Sequence, residues 1–331
     1  MKVLFAGTPQ VAVEPLKFLA AQEDIDVVGV LTRTDAPAGR KRRLTPSPVA
    51  QAATDLGLHV IKANAVDEPV LEQIRATGAQ VGAVVAYGAL LKAPVLAALP
   101  LGWVNLHFSA LPQWRGAAPV QRSLLAGELT AAATTFVLDP GMDTGPILRG
   151  FTETVQADDV AGTVLSRLSV EGAPVLADSL RDLAAGIEPT PQSGVGSLAP
   201  KLTAADGRLN WNRPAHRVAA RVRAVTPEPG AWCELDGARF KITGPLLLES
   251  NTEAALRDSP GESDGTDQSD GTDAPLQPGE VRLVQHNVVV GTGSTPVVLT
   301  QVQPAGKKAM AATDWARGRL AGTQPGEVVL V

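Results

Sequence analysis

The sequence predicts an α/β chain, with a parallel, doubly wound sheet in its first part and a small β-barrel in its second. Three observations carry this expectation. Through residues 1–100, short apolar runs alternate with helical stretches, the pattern of successive strand–helix–strand units. From Gly186 to Gly207 the chain is rich in Gly, Pro, Ser and Thr, a composition that reads as an interdomain linker. Beyond it come several short β segments between Gly/Pro turns, as in a small barrel. The expected boundaries are a first domain over 1–186, a linker over 187–207 and a second domain over 208–331. The chain has 331 residues, which suits about two domains. Apolar residues make up 44% but aromatics only 4%, so aliphatic side chains and alanine must supply most of the packing.

In chain order, residues 3–6 form a first apolar strand that ends in Gly7-Thr8-Pro9, followed by a helix over 11–22 and a strand over 27–32. A loop covers 33–48. A helix over 48–56, a strand over 59–61 and a helix over 69–77 follow, the last with Pro69 in the first turn, where a missing N–H costs nothing. Buried strands are expected at 81–86 and 103–106, a further strand at 136–138, and a long helical segment from 157 to 185. After the linker, 213–225 reads as a basic helix, and β segments fall at 231–235, 239–248, 281–284, 288–290, 297–302 and 328–331. Ligands of doubly wound sheets bind beyond the carboxyl ends of the strands, which directs attention to the loops there.

The net charge of −5 is unevenly spread. Residues 249–280 hold nine acids and one base, and Ser-Asp-Gly-Thr-Asp occurs twice within them, at 263–267 and 269–273. Such an acidic, apolar-poor stretch (250–279) reads as a disordered surface insertion, which a small barrel tolerates because loop closure costs little extra with length. The remainder from 208 onward carries twelve bases and five acids, whereas 1–207 carries sixteen bases and twenty acids. That asymmetry fits one domain that holds a small molecule and another that meets a polyanion. The single cysteine, Cys233, cannot form an intrachain disulfide and reads as a small buried residue. No Cys/His cluster has metal-ligand spacing. The N-terminus opens directly as a strand, without a signal-type segment, and no run approaches the ~18 apolar residues of a membrane span. The expectation is a soluble, cytoplasmic protein.

The segment that carries chemistry is Asn105-Leu106-His107-Phe108-Ser109-Ala110-Leu111-Pro112. Asn105 and His107 stand two apart at a strand's end, so their side chains project to one face. An amide donor beside an imidazole at such an edge can hold an oxyanion, and histidine can also exchange protons near neutral pH. Asp143, in the turn Asp139-Pro140-Gly141-Met142-Asp143-Thr144-Gly145, is the carboxylate that could orient the imidazole. Spacing alone leaves open an ordinary bonded histidine and an aspartate that caps its own turn. Gly7-Thr8-Pro9 lacks the full glycine fingerprint of a dinucleotide loop. A second feature is basic: Arg33 and the run Arg40-Lys41-Arg42-Arg43 in the 33–48 loop, and Lys307-Lys308 in the turn Gln303–Met310. Arg217, Arg221 and, less closely, Arg213 share one helical face. Such cations gain most beside phosphates, although a solvated surface is the plainer alternative.

These residues resemble the methionyl-tRNA formyltransferase family along nearly the whole chain. The likeness rests on Phe5-Ala6-Gly7-Thr8-Pro9, Pro37-Ala38-Gly39-Arg40 with Leu44-Thr45-Pro46-Ser47-Pro48-Val49, and Val84-Val85-Ala86-Tyr87-Gly88. It rests equally on Asn105-Leu106-His107, the run 115–122, Asp143-Thr144-Gly145 and Gln303–Met310. The Asn-x-His and Asp-x-Gly pieces are common to formyltransferases that use 10-formyltetrahydrofolate. The Pro-Ala-Gly-Arg loop and the Pro-Ala-Gly-Lys-Lys-Ala-Met turn are more particular to the tRNA enzyme.

The resemblance implies a Rossmann-like formyltransferase domain followed by an OB-like β-barrel. It implies that Asn105, His107 and Asp143 are the catalytic trio and that Ser109, Ala110, Leu111 and Pro112 form the folate-binding turn. It further implies that Arg40, Lys41, Arg42 and Arg43, with Lys307 and Lys308, meet the initiator methionyl-tRNA. 10-Formyltetrahydrofolate would be the co-substrate; transfer at an unchanged oxidation level needs no metal, and a monomer away from membranes is the default expectation. Two departures concern the folate fit: Ala110 stands where the family usually has Leu, and Phe108 where a small Gly is usual. The acidic insertion is not a general family feature. A formyltransferase of a small amine would share the trio but have no use for the basic second domain. A non-catalytic RNA-binding barrel would have no use for the trio.

Overall fold

The computed structural model describes residues 1–38, 42–248, 275–284, 286–324 and 326–331. Arg40 and Lys41 of the basic run, and most of the acidic insertion, lie outside them. The chain forms two compact units. The first comprises Met1–Pro119, Thr130–Thr154 and Val164–Pro200, and the second Val120–Leu129, Val155–Thr163 and Lys201–Val331.

The first unit is built on a seven-stranded sheet in the order β5-β2-β1-β6-β7-β8-β9. These strands are β1 (Lys2–Gly7), β2 (Asp26–Thr32), β5 (Val60–Lys62), β6 (Val81–Val85), β7 (Trp103–His107), β8 (Thr130–Val137) and β9 (Ile147–Thr154). The first five are parallel, while β8 runs antiparallel to β7 and β9 antiparallel to β8. The all-parallel expectation is therefore corrected at this edge, where 136–138 proves to be the end of a longer strand and β9 was missed. The reason is visible in β9, none of whose residues is fully buried. One-faced burial leaves no continuous apolar run to find. By contrast, Val3, Leu4, Phe5 and Ala6 of β1 are fully buried. Each of the larger three contributes roughly 1.5–3 kcal/mol relative to exposure.

Helices α1 (Val13–Ala20), α2 (Pro48–Asp55), α3 (Glu68–Ala76) and α4 (Ala93–Leu96) connect the parallel strands. Their starts follow local chemistry. The Ser47 hydroxyl accepts from Ala50 N at 3.0 Å at the start of α2, and Asp67 accepts from Val70 N at 3.3 Å at the start of α3, each with a proline in the first turn. Trp103 is wholly buried and donates its indole N–H to Val95 O at 2.8 Å. It lies over Gly82, where an added Cβ would come within 2.0 Å of the indole. The loop expected over 33–48 contains a two-stranded ribbon, β3 (Ala36–Ala38) with β4 (Arg43–Thr45), which places Arg43 opposite Ala38.

Helices α5 (Pro119–Ala126) and α6 (Ala161–Ala184) each run from one unit's span into the other's. The segment after α6 pairs with the first unit: Thr190 bridges Ile147 and Leu198 bridges Arg115.

The second unit contains α7 (Ala215–Val225), α8 (Ala312–Arg319) and two four-stranded antiparallel sheets. One sheet orders β10 (Ala231–Leu235), β11 (Ala238–Ile242), β16 (Gln301–Gln303) and β17 (Met310–Ala311). The other orders β12 (Leu246–Leu248), β15 (Val297–Leu299), β14 (Asn287–Val290) and β13 (Val281–Val284). The expected strands 239–248 and 297–302 are each split, the first at Thr243-Gly244-Pro245 and the second at Thr300. Proline cannot donate to a ladder, and the break lets the chain pass from one sheet to the other. Val218, Val222 and Val225 of α7 join Phe240, Ile242, Val288 and Trp315 in one core. Cys233 is buried there, and burial pushes its thiol up to about 12, so it stays protonated and unreactive.

Candidate active site

The carboxyl edge of the parallel strands is tied together by polar side chains. Thr8 Oγ1 donates to Tyr87 O at 2.8 Å, Arg33 Nη1 donates to Gly88 O at 2.8 Å, and Arg33 Nε donates to Asn64 Oδ1 at 3.1 Å. Arg33 was grouped with the basic run on sequence. Its guanidinium instead joins the ends of β2, β5 and β6. Ala86, directly after β6, has φ +50°, a left-handed conformation that costs an alanine roughly 1–2 kcal/mol.

Asn105 and His107 leave β7 on one face, as their spacing predicts. The β6 register sets Val84 opposite Asn105, and the β8 register sets Thr134 opposite His107. The Asn105 side chain is half-buried and makes no hydrogen bond with any described residue. Both amide hydrogens are therefore open to a ligand. His107 is 6% exposed, with its ring edge-on to Phe136 at 6.3 Å. Its Nε2 lies 2.9 Å from Trp114 O. A carbonyl only accepts, so Nε2 carries the proton and the neutral ring keeps a lone pair on Nδ1.

Asp143 Oδ2 sits 3.8 Å from that Nδ1. This is within ion-pair range but too long for a hydrogen bond. Burial pushes the His107 pKa below its ordinary 6.5, and the nearby Asp143 charge and the Trp114 carbonyl oppose the shift.

Asp143 is itself held. Gly116 N donates to Asp143 Oδ2 at 2.7 Å, and Gly116 has φ +124°, a conformation reserved for glycine. An added Cβ there would meet Ala199 O at 2.8 Å. Asp143 has φ +52°, and strain of this kind costs on the order of 1–3 kcal/mol and persists only where the surroundings enforce it. Gln192 Nε2 donates to Asp143 O at 2.9 Å and to Gly145 O at 2.8 Å, and Gln192 Oε1 accepts from Arg115 Nη2 at 2.7 Å. Gly145 has no room for a side chain, since a Cβ would fall 1.8 Å from Val137 O.

The turn 109–112 follows β7 directly. Thr134 Oγ1 donates to Ser109 O at 2.7 Å, and Leu111 N donates to Thr134 Oγ1 at 3.4 Å. The Ser109 hydroxyl donates to Gln113 O at 2.6 Å, so it serves the turn itself. Ala110 is exposed and Leu111 buried. Phe108 is 6% exposed, so its ring is packed into the protein.

The structure brings Asn105, His107, Asp143 and the 109–112 turn together within the first unit. Sequence reasoning missed Gln192, Arg115, Gly116 and Thr134 as supports. Arg115-Gly116 falls in the run 115–122, whose residue types alone suggest no role. Gln192 lay in the segment read as linker, where its Pro/Gly-rich setting gave no signal. Among the described residues, no group of three or more His, Cys, Asp or Glu is placed to hold a metal, and no helix is long and apolar enough to cross a membrane.

In the second unit the basic residues form a different kind of surface. Arg208, Arg213, Arg217, Arg221 and Asn210 line a cleft of about 440 Å³. Arg213 and Arg217 are exposed, with no carboxylate among the described residues within 4.0 Å. Arg221 donates to Asp206 O at 2.8 Å. Arg239 and Arg208 lie 4.1 and 5.4 Å from the Trp232 ring centroid. Lys307 and Lys308 are exposed in the β16–β17 turn, which is closed by Lys307 N to Pro304 O at 3.1 Å and Gln303 Nε2 to Lys307 O at 3.0 Å. In the first unit, Arg42 and Arg43 are exposed at the β3–β4 ribbon.

Comparison with known proteins agrees with this architecture. A family signature described as formyl transferase matches residues 1–180, and one described as formyl transferase, C-terminal domain matches 201–320. The methionyl-tRNA formyltransferase of Arthrobacter sp. (strain FB24) is 52% identical over 97% of this chain and 98% of its own length. That of Acidothermus cellulolyticus is 49% identical over 96% and 97%. Among solved structures, methionyl-tRNA formyltransferase from Clostridium thermocellum superposes with a TM-score of 0.55 at 14% identity, covering 76% of this chain and 94% of its own. An N-formyltransferase from Helicobacter canadensis, in complex with folinic acid and dTDP-3-aminofucose, gives 0.62 at 15%, covering 92% and 99%. At such identities the structural matches show the fold alone. The near full-length sequence identity and both matched signatures place this chain in the methionyl-tRNA formyltransferase family.

Proposed function

We propose that this protein transfers the formyl group of 10-formyltetrahydrofolate to the α-amino group of methionyl-initiator-tRNA. The observation that carries the reading is the juxtaposition at the end of β7. Asn105 offers an unengaged amide two residues before His107, and Asp143 stands 3.8 Å from the imidazole.

The folate supplies a formyl group already at its final oxidation level, so the transfer needs no redox partner. The residues present suit it: an unengaged amide donor for the formyl oxygen, and a turn at 109–112 with a buried Leu111 and a backbone fixed by Thr134. Asn105 donates to the oxygen on which negative charge develops as the amine adds to the formyl carbon. His107 Nδ1, unprotonated in the resting tautomer, takes the proton released by the attacking amine. The imidazolium so formed is held by Asp143 and returns the proton to the departing folate nitrogen. Depression of the His107 pKa by burial keeps the ring neutral and ready to accept at neutral pH. Holding amine and formyl carbon side by side supplies much of the acceleration.

For the polyanionic substrate we assign Arg40, Lys41, Arg42, Arg43, Lys307 and Lys308 as tRNA contacts, joined by the arginine cleft of α7. The two antiparallel sheets of the second unit are taken as an OB-like barrel. The working form is a cytoplasmic monomer, and the chain divides functionally into 1–186, a linker over 187–207, and 208–331. Arg40→Ala is expected to raise KM for the charged tRNA far more than for the folate, and equal effects on both would remove Arg40 from the tRNA interface. The whole reading is tested by formyl transfer to charged initiator tRNA, with charged elongator tRNA as control. Transfer to the initiator is expected, and none at all would overturn it.

A further inference from the structure

We infer that Gln192 is a positioning residue for the formyl transfer, acting through Asp143. The inference rests on the proposed role of Asp143 and adds a residue outside the sequence motifs. The Gln192 amide uses all of its hydrogen-bonding capacity. Its Nε2 donates both hydrogens, to Asp143 O at 2.9 Å and Gly145 O at 2.8 Å. Its Oε1 accepts from Arg115 Nε at 3.2 Å and Nη2 at 2.7 Å. This settles the orientation of the amide, since an oxygen could not face two carbonyls or a nitrogen face a guanidinium.

The two carbonyls that Gln192 grips bracket Thr144, so the clamp closes the turn on which the Asp143 carboxylate is mounted. Asp143 has φ +52°, a backbone state that an aspartate keeps only when its surroundings enforce it. Two holds act on it. Gly116 N–H fixes the carboxylate at 2.7 Å, and Gln192 fixes the backbone behind it. Arg115 links them, because it precedes Gly116 in the chain while its side chain binds Gln192. His107 completes the circuit through Trp114, whose carbonyl accepts from Nε2 at 2.9 Å. The run Trp114-Arg115-Gly116 thus touches the imidazole, the clamp and the carboxylate in turn.

The chemistry selects the residue type. Only a side-chain amide donates twice and accepts twice from one planar group. Glutamate at 192 would still accept from Arg115 but would turn a charged oxygen toward two carbonyls, at a position next to Asp143. A residue that merely fills space would tolerate that near-isosteric change.

The experiment compares Gln192→Ala, Gln192→Glu and Gln192→Met, alone and combined with Asp143→Asn, on the full chain in steady-state formyl transfer. Thermal melting identifies the folded variants. Gln192→Ala is expected to lower kcat about tenfold to a hundredfold, with KM for folate and for charged tRNA within about twofold of wild type. Gln192→Glu should fall at least as far, and Gln192→Met, which keeps the chain length, is the variant to read should alanine fail to fold. In the Asp143→Asn background the Gln192 changes should cost little more, because the two residues act through one point. Wild-type kcat in a folded Gln192→Glu, or a loss of undiminished size in the Asp143→Asn background, would overturn the inference. Asp143→Asn by itself tests the underlying reading, which fails separately if that variant keeps full turnover.

Discussion

The two units place their polar residues under opposite physical regimes. In the first, His107 is nearly buried, and Asp143 and Gln192 are half-buried. Each is fixed by bonds to backbone or to another side chain. In the second, Arg213, Arg217, Lys307 and Lys308 stand exposed. A low-dielectric pocket makes each hydrogen bond strong and sensitive to geometry, which suits chemistry at one atom. Exposed cations act at a distance and tolerate imprecision, which suits a long anion. Single substitutions in the His107 pocket should therefore cost most in turnover, and ionic strength should act through the exposed cations, those of the second unit together with Arg42 and Arg43 of the first.

The contrast can be broken at several points. The largest expected effect is at Asn105. Removing one preorganised donor to a developing oxyanion typically costs 10²–10³ in rate, so Asn105→Ala should lower kcat by about that much while the melting temperature stays within a few degrees. Near-normal turnover in a folded Asn105→Ala and a folded His107→Ala would remove the site. Next is salt. Raising it from about 50 to 200 mM should weaken charged-tRNA binding by about two orders of magnitude if some four phosphates are contacted, and leave folate KM nearly flat. Equal sensitivity of both substrates would erase the distinction between the pocket and the exposed cations. Smaller again, Arg213→Ala with Arg217→Ala should raise KM for charged tRNA about tenfold and lessen the salt slope by about one per residue, with kcat unchanged.

The smallest effect is on stability. The folded His107 pKa lies below 6.5 because burial disfavours the charged ring. The unfolded chain therefore binds the extra proton first as pH falls. The contribution of His107 to stability is intact above 6.5 and is lost as pH drops from there toward the depressed folded value. Melting curves between about pH 7.5 and 5 should show this decline, and His107→Gln should show less of it. An identical decline in that variant would assign the loss to other groups.

Much of the site was legible in the sequence. The i, i+2 placement of Asn105 and His107 on a strand end is a local fact of backbone geometry, and it survived intact. The continuous apolar runs of β1 and β6 announced buried parallel strands. One-sided strands such as β9, and short helices such as α4 and α8, carried little periodic signal. The links of Arg33 to Gly88 and Asn64 were not legible, because these partners are far from it in sequence.

By itself the sequence determined that the apolar runs of β1 and β6 become buried strands, where Ser47 and Asp67 begin helices, that one strand end carries an amide and an imidazole, and that outside 249–280 the net positive charge lies after residue 207. Only the tertiary structure decided that Asp143 meets His107, that Gly116 holds Asp143 from 27 residues away, and that Gln192 reaches back 49 residues to Asp143 and 77 to Arg115. Propensity, capping and periodicity act over a few residues. The meeting of distant segments is fixed instead by strand order and by how the loops at one sheet edge satisfy each other's backbone groups.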